Sequence, residues 1–193
     1  TNEINRMLIV EMMLKKAIKE ELNIFKKIKN IRKKIPLIMM GIHLDNPSSK
    51  LKKEKKAIYK MKQLSLLMLG VAVSKYKAKL VKEQEILMRI ADLIIETYVC
   101  ESALLRTEKL INLKGINSCE TEIKMTQNHI SSSLNLAKVS TTEIIMSTSK
   151  GFTKRILLSV SKKLTEPLNI DTKKIRRKIA ERLQIDKKYS FSI

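Results

Sequence analysis

The sequence predicts an all-α protein, a bundle of long helices, and three observations carry that expectation. Only four glycines and three prolines punctuate 193 residues. An all-β domain or a dinucleotide-binding α/β domain needs many tight turns, and glycines where backbone approaches phosphate. The apolar content is 44%, with 4% aromatic and no tryptophan, so the core must be built from Ile, Leu, Met and Val. Those apolar residues recur at i, i+3, i+4 and i+7 over long stretches, the spacing of one face of a helix. The length suits one helical domain, or a bundle with an appended arm.

The opening segment, Thr1–Lys34, reads as one long helix. Thr1 or Asn2 can cap it, and Glu3 puts a negative charge in the first turn, where the helix dipole favours it. Met7, Ile9, Val10, Met13, Leu14 and Ile18 form a broad apolar face, and Pro36 ends or kinks the helix. Gly41–Ser49 (GIHLDNPSS) reads as a linker, with Ser48 or Ser49 able to cap the next helix. That second helix is expected from Lys50 to about Leu80. Its first half is strongly basic, and its second half carries Leu64, Leu67, Met68 and Val71. Gly70 and Ala72 would let a neighbouring helix come close.

A turn is expected near Val81–Glu83, then a third helix over Lys82–Lys114. There Ile86, Ile90, Leu93, Thr97, Cys100, Leu104, Thr107 and Ile111 alternate in steps of four and three, a seam suited to bundle packing. Glu85 and Arg89 stand i, i+4 in the favourable order, Tyr98 reads as core, and Gly115 is the natural C-cap. A fourth helix runs from about Ser118 to Ser149 on Ile123, Ile130, Leu134, Ala137 and Ile144. Fraying is expected at its poor helix formers, Ser131–Ser133 and Ser140–Thr142. Gly151 stops it. A short helix at Lys154–Leu164 and a last one from Asp171, a good cap, to about Gln184 complete the chain, with Pro167 between them.

The net charge of +21 has three readings. A nucleic-acid binder gathers Lys and Arg on one face to neutralise phosphates. A membrane-surface protein sets them beside an apolar stripe. Compositional drift fills solvated positions with Lys and core positions with Ile. Lysine is spread over the whole chain, from Lys15 to Lys188, and arginine, the better bidentate reader, is the rarer cation. Drift is the reading this pattern favours, and nucleic acid the least favoured. Cys100 and Cys119 form no CxxC, so a reducing cytoplasm is the default. No signal-peptide pattern opens the chain, and the longest apolar run, Leu64–Val73, is too short to span a bilayer.

Local chemistry is sparse. His43 and His129 are the only histidines and belong to no Glu-x-x-His pair of the kind that binds metal in bundles. The glycines stand too far apart for a phosphate loop. Asp92 and Glu96 share a helix face and could act as acid and base, but a solvated or salt-bridged pair is the simpler reading. Cys100 reads as a small core residue. The residues alone give no self-sufficient active site.

Three segments, in order, resemble one family. TNEINRMLIV at Thr1–Val10 resembles the segment after the catalytic glutamate of acyl-CoA dehydrogenases, whose motif reads Tyr/Phe-Glu-Gly-Thr-Asn-Glu-Ile-x-Arg. IADLIIETYVCESALLRTEKL at Ile90–Leu110 resembles a helix of the extra C-terminal domain in the very-long-chain branch and its bacterial relatives. IRRKIAERLQIDKKYSF at Ile175–Phe191 resembles the closing helix and tail of the same bacterial proteins.

The resemblance implies that 1–34 is the C-terminal helix of a dehydrogenase core, 35–49 a linker and 50–193 an accessory helical bundle. It implies FAD as cofactor, with Thr1, Asn2 and Glu3 as its contacts in this chain. The proton-abstracting glutamate would fall two places before Thr1, and the main flavin-binding domain upstream. Fatty acyl-CoA as substrate, an electron-transfer flavoprotein as acceptor, a homodimer and peripheral membrane contact are implied in the same way. The basic stretch Lys50–Lys62 is the candidate for the membrane contact. The alternative is a stand-alone basic helical module binding a membrane surface or nucleic acid.

Overall fold

The computed structural model describes residues 2–41 and 51–187. Seven α-helices account for nearly all of them: α1 (Asn2–Ile18), α2 (Ile24–Met39), α3 (Lys52–Tyr76), α4 (Gln84–Lys114), α5 (Glu120–Thr148), α6 (Gly151–Leu164) and α7 (Thr172–Asp186). Short 3-10 turns at Lys77–Lys82 and Asn117–Cys119 join α3 to α4 and α4 to α5. No strand occurs among the described residues. The all-α expectation holds.

Helices α3, α4 and α5 pack on one another and form the centre. Helix α1 lies on α4, α2 bridges α3 and α6, and α7 lies on α5. One large apolar cluster joins Val10 and Ala17 of α1 and the isoleucines of α2 to Leu64–Ala72, Ile86–Leu93, Ala137–Ile145 and Leu157–Leu164. A second fills the other end of the bundle, from Leu51, Ile58 and Met61 to Cys100, Leu104, Ile130 and Leu134. Each fully buried Leu or Ile stabilises the fold by roughly 1.5–3 kcal/mol. The predicted seam of α4 is buried at every one of its eight positions.

The first helix departs from expectation. It is two helices, broken at Lys19–Asn23, where Glu20 takes φ 61. No glycine or proline marks that break. The isoleucines of α2 need their own angle to lie on α3 and α6, so the chain turns through a charged, exposed stretch. Pro36 does not end the helix: α2 runs on to Met39, into the predicted linker. The rest of that linker, from 42 to 49 with His43, Ser48 and Ser49, lies outside the described residues, as do Lys50, Thr1 and the tail from 188.

Gly70 has the role read for it. A Cβ built there would stand 2.5 Å from Ile28 Cγ2, so α2 and α3 meet at a distance only glycine allows. One turn along α2, Arg32 Nη2 donates to the Gly70 carbonyl at 2.7 Å and to Ser74 Oγ at 2.6 Å, fixing the same crossing.

Helix α5 does not fray at its hydroxyl-rich stretches, because those stretches face inward. Ser131, Ser133, Ser140 and Thr141 are buried. Thr141 Oγ1 donates to the Ala137 carbonyl at 2.7 Å and stands 2.9 Å from Ser161 Oγ on α6. Thr107 and Thr126 make a similar pair between α4 and α5 at 2.7 Å, with Thr107 also on its own Ala103 carbonyl. Ser65 and Thr97 pair at 3.3 Å between α3 and α4, each on a carbonyl of its own helix. A buried hydroxyl is tolerated when it has such a partner.

Four smaller corrections complete the comparison. Tyr98 is 71% exposed rather than core, since it lies one position off the seam. Arg89 pairs with Glu143 of α5 at 2.5 Å instead of with Glu85. Helix α3 ends at Tyr76, short of Leu80, and Lys77 leaves it at φ 49. Gly151 starts α6, ahead of Lys154, rather than only stopping α5. Gly115 ends α4 at φ 83 and Asp171 caps α7 by accepting from Lys174 N at 3.0 Å, both as expected.

The basic stretch Lys50–Lys62 turns several of its cations onto the protein. Lys55 pairs with Glu108 at 2.6 Å and Lys62 with Glu101 at 2.5 Å. Lys60, whose side chain is only 7% exposed, reaches Glu166 at 2.9 Å beyond the end of α6. That carboxyl is held below the usual range by the Lys60 hydrogen bond first and the Lys60 charge second, against a small opposing effect of burial.

Candidate functional site

The N-terminal end of α1 is where the family motif falls. Asn2 and Glu3 are both exposed there, with Glu3 in the first turn; Thr1 lies outside the described residues. The first N–H groups of a helix lack intrahelical partners and sit at the positive end of its dipole, so this end suits a phosphate or another polar cofactor group.

One turn further on stands Arg6, the last residue of TNEINR. Its Nε meets Asp92 Oδ1 of α4 at 3.2 Å, and this pair fastens the first turns of α1 to the bundle. Sequence reasoning passed over Arg6, although the motif itself ends in an arginine. Its partner is far away along the chain, and helical periodicity carries no signal for that.

Beside the pair is a cavity of about 230 Å³ between α1, α4 and α5, with Arg6, Arg89, Asp92 and Glu96 on one side and Leu136 and Val139 on the other. Arg6, Arg89 and Asp92 are each ion-paired, and Glu96 is hydrogen-bonded. Asp92 holds Arg6, Arg89 holds Glu143, and Glu96 accepts from Ser133 Oγ. Asp92 and Glu96 therefore face different partners and do not form a free acid/base couple.

The remaining candidates are inert. Burial pushes the Cys100 thiol up to about 11, with the Ser133 contact opposing and the Glu96 charge adding, so it is a thiol and not a nucleophile at neutral pH. Burial also raises Cys119. No group of three metal-ligating side chains occurs among the described residues. None of the described helices is long and apolar enough to cross a membrane.

The fold defines the chain, over the described residues, as an all-helical bundle. Residues 60–163 match the model of the acyl-CoA dehydrogenase C-terminal domain. A probable acyl-CoA dehydrogenase of Bacillus subtilis (strain 168) is 33% identical over 176 residues, 90% of this chain and 29% of that protein. The crystal structure of an acyl-CoA dehydrogenase complexed with FAD from Bacillus anthracis superposes with a TM-score of 0.91 at 31% identity, covering 98% of this chain and 32% of that one. The chain belongs to the acyl-CoA dehydrogenase C-terminal domain family, a family of oxidoreductases. It spans under a third of the length of either relative.

Proposed function

We propose that this chain is the C-terminal portion of a flavin-dependent acyl-CoA dehydrogenase that introduces an α,β double bond into fatty acyl-CoA. The observation that carries the reading is the outer face of α1. Ile4, Leu8 and Met12 recur every four residues and stay 58%, 42% and 53% exposed, on the helix whose first residues carry the family motif. A helix this apolar on both sides is built to be covered twice. The bundle covers one side, and an upstream dehydrogenase core covers the other.

On this reading Thr1, Asn2 and Glu3 contact FAD, and Arg6, through Asp92, holds them in position. FAD, when bound, accepts the hydride from the substrate β-carbon. The glutamate that removes the α-proton stands two places before Thr1, and the isolated chain is inactive. The whole enzyme passes its electrons to an electron-transfer flavoprotein, works in the cytoplasm as a homodimer, and has at most peripheral contact with a membrane. The division into a core helix at 1–34, a linker at 35–49 and an accessory bundle at 50–193 belongs to the same proposal, with the core part now two helices.

Reading the coding sequence ahead of the Thr1 codon tests it. The expected result is an in-frame Glu-Gly preceded by a flavin-binding domain; a stop codon directly upstream would sink it. The purified 193-residue chain should retain no yellow flavin and oxidise no acyl-CoA. A stoichiometric flavin spectrum would refute that part.

A further inference from the structure

On the side of the bundle formed by α2, α3, the end of α5 and the start of α6 lies an open groove of about 470 Å³, within the size range of small-molecule sites. Two cations line it, Arg32 and Lys75. Neither makes an ion pair with any carboxylate among the described residues, unlike the arginines beside α1. Arg32 is nonetheless fixed, by donating to the neutral oxygens of Gly70 and Ser74 at 2.7 and 2.6 Å. A guanidinium held in place by neutral acceptors keeps its charge for something else, and its remaining N–H groups are set for a carboxylate or phosphate.

The neighbourhood adds to that charge. Ser149 and Thr153 bring hydroxyls to the same groove. Helix α6, fourteen residues long, begins there with no acidic residue in its first turn and no side-chain cap, so its positive end is uncompensated. The groove is otherwise apolar, with Ile35 and Val71 half-buried at its surface and Leu67 and Leu157 buried beneath them. A bare inorganic anion would leave that apolar surface wet, and a neutral apolar molecule would leave Arg32 unmatched.

We propose that this groove binds a small amphipathic anion, an aliphatic carboxylate whose head group meets Arg32 and Lys75 and whose chain lies along Ile35 and Val71. The proposal is independent of the dehydrogenase reading, since it concerns a face served by α2, α3, α5 and α6 rather than the start of α1.

The test is calorimetric titration of the full 193-residue chain with decanoate, with decanol, inorganic phosphate and phosphatidylglycerol vesicles in parallel. Expected is saturable decanoate binding at one site. Arg32→Gln should weaken it about tenfold or more, as loss of a charge-assisted hydrogen bond does. Lys75→Glu, at an exposed position where folding is not at stake, should weaken it severalfold. Decanol and phosphate should each bind at least about tenfold more weakly than decanoate. The proposal is overturned if decanoate does not saturate, if Lys75→Glu leaves its affinity unchanged, if decanol or phosphate binds as well, or if only vesicles bind.

Discussion

Helices α1 and α4 pack on each other, yet the chain treats them in opposite ways. Helix α4 buries its whole seam from Ile86 to Ile111 against the bundle and leaves only scattered apolar residues, such as Leu105 and Leu113, exposed on its outer side. Helix α1 has an apolar pattern as broad, but buries only Val10 and Ala17 fully, and leaves Ile4, Leu8 and Met12 in water. The first is a finished core helix. The second is covered by the bundle on one side only. On the reading proposed above, that uncovered side is where an upstream core would lie.

The contrast can be broken most sharply in α4. Ile90→Ala removes a fully buried side chain from the largest cluster and should cost about 2–5 kcal/mol in urea unfolding. A loss under about 1 kcal/mol would mean that the seam is loosely packed. Next in size is Gly70→Ala. The small helix-propensity gain of alanine is outweighed by the 2.5 Å approach to Ile28, for a net loss of about 1–3 kcal/mol. A stabilised variant would show that α2 can move off α3.

Smaller is the effect of Glu166, at the rim of the bundle. Its folded pKa is lowered, so its contribution is fully present above the unfolded carboxylate value of about 4.3 and is lost as pH falls through the folded one. With Glu166 two-thirds exposed, the contribution is about 1 kcal/mol or less. The stability gap between the wild type and Glu166→Gln should therefore be constant near neutrality and narrow as pH falls below the unfolded value of about 4.3, measured by unfolding across that range. Smallest is Leu8→Ala on α1, within about 0.5 kcal/mol in this chain. The same substitution in a protein carrying the upstream part should cost more than about 1 kcal/mol. Equal costs in both settings would remove the argument for a second neighbour.

Most of the fold is legible in the sequence where a single rule decides. The α4 seam, the Gly70 approach, the Gly115 terminus and the Asp171 cap each arise from periodicity or from one residue's stereochemistry. What is not legible depends on partners distant in sequence. The break at Lys19–Asn23 serves the packing of α2, and no local breaker announces it. The serine-rich turns of α5 look weak by propensity and are held by α4 and α6. At the candidate site, Asn2 and Glu3 are found by motif, whereas Arg6 needs Asp92 to give it a role. The Arg32 groove draws on four helices at once, and nothing in any one of them predicts it.

The paired hydroxyls between the central helices have a consequence for how this protein changes over time. In each pair at least one hydroxyl donates to a carbonyl of its own helix: Ser65 to Met61, Thr97 to Leu93, Thr107 to Ala103, Thr141 to Ala137. Losing one member of a pair therefore need not strand the other without a partner, provided the survivor is a self-satisfied one. Exchanges to Ala at Thr126 or Ser161, whose partners are self-satisfied, can then pass with no compensating second change. The interior can thus change one residue at a time while the helices keep their register.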